Sequence, residues 1–407
     1  MTEEGKTFLK FTGDKALMPR EETLERKPQH KKVVIGIPLE KDENERRIAI
    51  VPNAVNLLVK NGHQVIMEQS AGKAAHFTNE MYAEAGAQIV QTAAEVWQSD
   101  VVMKIAAPDT DEIELMHKNQ TVFSALMTQN KSKIFFKRLM DKKVLAIAYE
   151  LIKDKTGAFP LVRSMSEIIG NASIMVAAEY LSSQKYGKGV MLGGFPGIRP
   201  SEVVIIGSGT VAEYAARTAY GMGAQVRIFD DSVYKMRDLQ DKLEFRISTS
   251  VLQPFLLLKA LKEADVAIAA KHSSTGHTAC IISSEMVSQM KRGAVIVDVS
   301  IDQGGCFETS RPTSHQHPVF QEYGVTHYCV PNIASRVPHT ASYSLSNHLT
   351  GLLLKIGDVG DINHYILRDR PFSKGVYIYN GALTNKNISD TFGLPFRDLD
   401  LLVSVLY

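Results

Sequence analysis

The chain has 407 residues, 44% of them hydrophobic and 22% charged, and its 46 Lys+Arg nearly balance its 44 Asp+Glu for a net charge of +2. That length exceeds one ordinary core and predicts two domains. The charge balance argues against a dedicated nucleic-acid or membrane-surface protein, and no stretch approaches the roughly 20 consecutive apolar residues of a membrane-spanning helix.

Residues 1–31 carry charge throughout and lack an apolar run, so they predict a polar arm rather than a signal peptide. From Lys32 strand and helix alternate. "KVVIGIP", "QVIMEQS", "SDVVMKIAAP", "TVFSALM" and "KVLAIAYEL" have the apolar density of buried strands, and "NAVNLLVKNGH", "NEMYAEAGA" and "KIFFKRLMDKK" have helical spacing. Near Ser164 the pattern changes to a long, mostly apolar helix, "SEIIGNASIMVAAEYLSSQ", long enough to cross between domains. By residue type Ser166 reads as its N-cap. The loop "GGFPGIRP" follows, then a second series of strands: "EVVIIG", "AQVRIFD", "ADVAIAA", "GAVIVDVS" and "VTHYCVP". The tail returns to a helix, "SYSLSNHLTGLLLKIG".

This order predicts an α/β protein in which a Rossmann-type, doubly wound parallel-sheet domain, residues 166–340, is inserted into a second α/β domain made of residues 32–165 and 341–407. The cysteines Cys280, Cys306 and Cys329 are too few for a disulfide framework and contain no CxxC pair. They read as buried apolar thiols in a reducing, cytoplasmic setting, with no metal site.

The strongest local signal is "VVIIGSGTVAEYAARTAYGMGAQVRIFDD". A strand runs into Gly207-Ser208-Gly209, then a helix opening at Thr210 and Val211, then a strand ending at Asp230. Gly207 permits the tight turn, and Gly209 lets the backbone approach a pyrophosphate. The amides at the helix start, with the helix dipole, favour that negative charge. Ala212 takes the third fingerprint position. Asp230 is placed to accept from the adenosine ribose hydroxyls and to repel a 2′-phosphate, which predicts NAD rather than NADP.

Several segments together resemble the alanine dehydrogenase family, related to the NAD-binding part of proton-translocating transhydrogenase: "IGIPLEKDENERRIAIVP", "MSEIIG", "GKGVMLGGFPGIRPSEVVIIGSGTVA", "VIVDVSIDQGGCFETSRPT" and "HYCVPNIASRVPHTAS". The resemblance runs from about Lys32 to the C-terminus, and the alanine dehydrogenase side is preferred because no membrane segment follows. It implies NAD-linked interconversion of L-alanine with pyruvate and ammonia in a cleft between the two domains, and a homo-oligomer, usually a hexamer.

Carried over by position, Arg47 would clamp the substrate carboxylate, with Arg46 the fallback for a one-residue slip. Met165 would line the substrate pocket, and Ser166 would lie near the nicotinamide or phosphates. Asp302, on the turn made supple by Gly304 and Gly305, would orient the water that attacks the imine and meet the nicotinamide ribose. Asn332 would stand near the nicotinamide. Two positions depart from the family pattern. "KIAAP" puts Ala106 where a substrate-binding lysine is usual, with Lys104 two residues earlier on the same strand face, a candidate substitute. "ALMTQN" puts Met127 where the proton-shuttling histidine is usual. His339 replaces a family arginine and reads first as a hydrogen-bonded structural histidine. The alternatives left open are an oxidoreductase for another amino or keto acid, or a non-catalytic NAD(H)-binding protein.

Overall fold

The computed structural model describes residues 32–126, 131–272 and 278–404. In chain order the strands are β1 (Val34–Ile37), β2 (Gln64–Glu68), β3 (Gln88–Val90), β4 (Val101–Met103), β5 (Thr121–Ser124) and β6 (Leu145–Ala148). After the helix Pro160–Ser182 come β7 (Glu202–Ile206), β8 (Gln225–Asp230), β9 (Ser248–Val251), β10 (Val266–Ala269), β11 (Val295–Asp298), β12 (Val319–Glu322) and β13 (Val325–Tyr328). After the helix Pro338–Val359 come β14 (Val376–Tyr379) and β15 (Ala382–Leu383).

They form two sheets. One has eight strands in the order β15-β14-β6-β5-β4-β1-β2-β3, and the other seven in the order β12-β13-β11-β10-β7-β8-β9. β1 to β6 pair in parallel, as do β7 to β11 and β13; only β12, β14 and β15 are antiparallel, at the edges. Parallel strands need covering on both faces. Accordingly β7, β10 and β11 are buried along their whole length, with separate apolar clusters on either side of the second sheet. The alternating strands and helices read in the sequence are present. The short strands β3, β9, β12, β14 and β15 were not anticipated, being brief or at sheet edges.

Strand order reverses between β1 and β4 in the first sheet and between β7 and β10 in the second. In open α/β sheets a crevice opens beyond the strand ends at such a switch point. The segments leaving β1 and β4 contain Arg47 and Lys104, and those leaving β7 and β10 contain Gly207 and Lys271. Topology alone therefore places the candidate residues at two crevices.

The connecting helix begins at Pro160, six residues before Ser166, with the proline in its first turn. Proline is pre-set for that position. Ser166 is therefore not an N-cap: it lies in the second turn, and its hydroxyl donates back to the Val162 carbonyl at 2.8 Å. Gly170 sits where this helix crosses Thr210–Gly221; a Cβ there would lie 2.6 Å from the Val211 carbonyl oxygen. Of the cysteines, Cys306 and Cys329 are buried as expected, but Cys280 is exposed, being on the loop before helix Ser284–Ser288.

Candidate active site

Arg47 is positioned by its backbone neighbours. Beyond β1 the chain runs along the segment that opens helix Pro338–Val359, which receives its amides through serine hydroxyls. Arg46 N donates to Ser335 Oγ at 3.2 Å, Ile48 N to Ser342 Oγ at 2.9 Å and Val51 N to Ser346 Oγ at 3.1 Å. These hydroxyls satisfy buried amides in a stretch with no strand partner. The fixed backbone turns Arg47 inward, with its side chain 13% exposed.

Glu45 grips one side of the guanidinium. Arg47 Nε donates to Glu45 Oε1 at 2.8 Å and Nη2 to Oε2 at 2.6 Å, a bidentate pair. Nη1 points at the Met165 sulfur, 3.7 Å away. The guanidinium carries five donors, so this arrangement leaves N–H groups on its far end for a ligand. Burial opposes the Glu45 charge. The Arg47 charge and its hydrogen bonds, with that from Ser335, overcome burial and hold the carboxyl below its ordinary value.

Glu45 also reaches across to the second sheet. Asn332 Nδ2 donates to Glu45 Oε2 at 2.8 Å, and Ser335 Oγ donates to Oε1 at 2.9 Å. Asn332 follows β13 in the left-handed conformation, φ 59°. Asparagine tolerates that region better than most residues. Its backbone N–H faces the Asp302 carboxylate. One residue thus links the arginine's partner to the aspartate.

Asp302 follows β11 in the turn Val299–Gln303, which ends on Gly304 at φ 101°. The turn is moulded around a second, fully buried carboxylate. Asp298 accepts from Ser300 N at 3.0 Å, Cys306 N at 3.0 Å and Ser310 Oγ at 2.7 Å. Asp302 itself is open to solvent at the crevice, yet protein crowds it on most sides. That desolvation raises its pKa, with Asp298 adding to it and the Asn332 amide and Arg47 opposing it. A carboxyl displaced upward and reachable from the crevice suits proton transfer.

Lys104 is placed differently from expectation. β4 ends at Met103, so strand alternation does not carry Lys104 and Ala106 onto a shared face. Lys104 is 2% exposed, and its ammonium lies 2.9 Å from Glu112 Oε1 and 3.1 Å from Glu40 Oε2. Glu40 also accepts from the amides of Ile105 at 2.6 Å and Ala106 at 3.4 Å. Lys104 is thus committed to a buried triad that holds the β4 exit. Burial raises Glu40 despite the lysine, and the nearby Glu45 charge adds to it.

The dinucleotide turn matches its sequence reading. Gly207 adopts φ 113°, and a Cβ there would lie 2.5 Å from the Ala270 carbonyl oxygen; around Gly209 a Cβ would meet nothing within 4 Å. The first glycine is thus required by the turn, and the second leaves the start of helix Thr210–Gly221 open, with Thr210 and Val211 as its first residues. These features fit a pyrophosphate. Asp230 is 4% exposed. Its Oδ2 accepts from Ser208 Oγ at 2.8 Å and its Oδ1 from Ser232 N at 2.9 Å, so it braces the turn as well as ending β8. Two open hollows of about 500 and 300 Å³ lie elsewhere, around 240–247 and beside β14.

Models of the two alanine dehydrogenase/PNT domains match residues 36–169 (N-terminal) and 173–386 (C-terminal). The alanine dehydrogenase of Staphylococcus saprophyticus is 36% identical over 370 residues, 90% of this chain and 99% of that protein. That of Methanococcus maripaludis is 38% identical over 366 residues, 89% and 98% of the two chains. The chain belongs to the alanine dehydrogenase/PNT family. Among solved structures an L-alanine dehydrogenase superposes with a TM-score of 0.82 at 35% identity, covering 88% of this chain and 99% of that one. A transhydrogenase from Sinorhizobium meliloti shares the fold, with a TM-score of 0.72 at 21% identity. Family membership makes the protein an NAD-dependent oxidoreductase. Among the described residues no helix is long and apolar enough to cross a membrane.

The positions expected to depart from the family pattern fall unevenly on the structure. Met127, like the arm 1–31, lies outside the described residues. Ala106 is half-buried beside Glu40. His339 pairs its Nδ1 with the Ala75 carbonyl at 2.9 Å and stacks on Phe77, ring centres 4.5 Å apart. Sequence reading passed over Glu45. The signal was present in "ENERR", where residues two apart on an extended segment point the same way.

Proposed function

We propose that the protein interconverts L-alanine with pyruvate and ammonia, using NAD, in the crevice between Arg47 and Asp302. The carrying observation is the continuous polar chain Arg47–Glu45–Asn332–Asp302, which ties a carboxylate-binding cation to a carboxyl of raised pKa. The free end of Arg47 holds the substrate carboxylate, and Met165 packs against the alanine side. Loss of the α-hydride from alanine leaves an imino acid, and water attacks its α-carbon to release ammonia. Asp302 takes the proton from that water and returns it to the departing nitrogen. NAD, when bound, exchanges the hydride; the Gly207–Val211 turn and Asp230 hold it, with Ser166 and Asn332 at the nicotinamide end.

In this reading Met127 and Ala106 stand in place of the family histidine and lysine, and proton transfer rests on Asp302. The same two apolar positions favour a second reading, an amino or keto acid other than alanine and pyruvate. We also assign residues 32–165 with 341–407 to the substrate domain and 166–340 to the cofactor domain. The protein is taken as a cytoplasmic homo-oligomer, a reading supported by exposed Met191, Phe195 and Ile198 in one segment.

The test is NADH oxidation by the purified protein with pyruvate and ammonium, beside Asp302→Ala. Turnover that falls about 10²–10⁴-fold in the variant is expected. No turnover by the wild type, with NADH still bound, would reject alanine and leave the second reading or a non-catalytic role.

A further inference from the structure

β10, β7 and β8 are neighbours in that order. Lys271 leaves the end of β10, and Asp231 leaves the end of β8. Their side chains meet, Lys271 Nζ lying 2.7 Å from Asp231 Oδ2. The ion pair therefore spans the end of β7, where Gly207, Ser208 and Gly209 turn into the dinucleotide helix. It lies at the strand-order reversal between β7 and β10, where a ligand of an open α/β sheet is expected. A dinucleotide lying across that turn must pass the pair.

The two partners are not held alike. The Lys271 backbone is fixed from both sides. A Cβ on Gly207 would lie 3.0 Å from its amide nitrogen, and Ser300 Oγ, on the Asp302 turn, donates to its carbonyl at 2.7 Å. Its side chain is 21% exposed and Asp231 is 67% exposed. An ion pair with so open a partner is weakly held. It is a weak competitor for an ammonium beside a doubly charged pyrophosphate. The two aspartates at the end of β8 also divide their work. Asp230 is buried against Ser208 and the Ser232 amide, whereas Asp231 is mostly open to solvent and bonds both the Asp230 carboxyl and Lys271.

We propose that Lys271 binds a phosphate of the dinucleotide and rests on Asp231 until the cofactor arrives. On binding, the ammonium leaves Asp231 for the pyrophosphate, and the freed Asp231 stands beside the adenosine ribose. The inference rests on dinucleotide binding and is independent of which amino acid is the substrate.

The experiment is titration of the full-length protein with NADH, followed by ligand fluorescence, at several salt concentrations. Lys271→Met is expected to raise the Kd about tenfold, the usual worth of one hydrogen bond to a charged group, and to flatten the salt dependence. Lys271→Arg keeps the charge and should bind like wild type. Asp231→Asn releases the ammonium beforehand and should lower the Kd, by up to about fivefold. Unchanged binding by Lys271→Met would overturn the proposal. So would an Asp231→Asn variant as weak as Lys271→Met, since the pair would then be a brace for the turn. A wild type that binds no NADH would overturn both this inference and the cofactor assignment.

Discussion

Two buried ion-pair clusters lie beside each other at the switch point of the first sheet. Arg47 with Glu45 is one, and Lys104 with Glu40 and Glu112 is the other. Both pair a cation with carboxylates at 2.6–3.1 Å. They differ in what they leave over. Arg47 gives one side of a planar fork to Glu45 and keeps donors for a ligand, at 13% exposure. Lys104, at 2%, is enclosed by two acids. A cation in a crevice is thus available to substrate only if its structural partner leaves some of its donors free. Arg47 meets that condition while bound on one side, whereas the third N–H of Lys104 is sealed off from any ligand by burial.

The largest effect that would break this contrast comes from Lys104→Met. Two carboxylates would be left buried without their cation. The expected cost is about 3–5 kcal/mol of folding free energy, read from urea unfolding. A loss below about 1 kcal/mol would mean the triad is not structural. Next, Arg47→Met should raise the KM for the amino or keto acid about 100-fold, the worth of two hydrogen bonds to a charged group. Its cost in stability should be smaller than that of Lys104→Met, because Glu45 keeps Asn332 and Ser335 as donors. A KM that does not move would remove Arg47 from substrate binding.

The smallest effect concerns the direction of a pH dependence. Glu45 is held below its ordinary value of 4.5, chiefly by Arg47 acting against burial. The stability it contributes is present above that value and is lost as pH falls through its lowered pKa. Glu40 is raised by burial, so its contribution is complete below 4.5 and declines as pH rises through its raised pKa. Unfolding measured from acid to neutral pH should therefore show Glu45→Gln and Glu40→Gln diverging from wild type in opposite directions. Parallel curves would show that the two clusters are electrostatically equivalent.

Much of the fold could be read from the sequence because parallel strands are buried on both faces, and their continuous apolar runs mark them without help from partners. The glycine turn was readable for a related reason. Gly207 is fixed by backbone geometry, and backbone demands restrict residue type. The candidate site was readable only in part. Asp302 stood out on a glycine-rich turn, but the bond between Glu45 and Asn332 joins residues 287 apart, a distance no local pattern records. Lys104 was offered as a substitute because nothing in "KIAAP" shows that Glu40 and Glu112 enclose its ammonium. Ser166 was taken for a cap because its residue type was weighed above Pro160, whose ring marks the helix start.

The helix Pro160–Ser182 presents Met165 to Arg47 and, five residues on, Gly170 to the backbone of the dinucleotide helix. The two contacts are about 7.5 Å apart along one rod, at 1.5 Å per residue. With no side chain at Gly170 the two helices meet backbone to backbone, and a Cβ there would force them apart. One helix thus touches both the guanidinium proposed to hold the substrate and the helix that follows the dinucleotide turn.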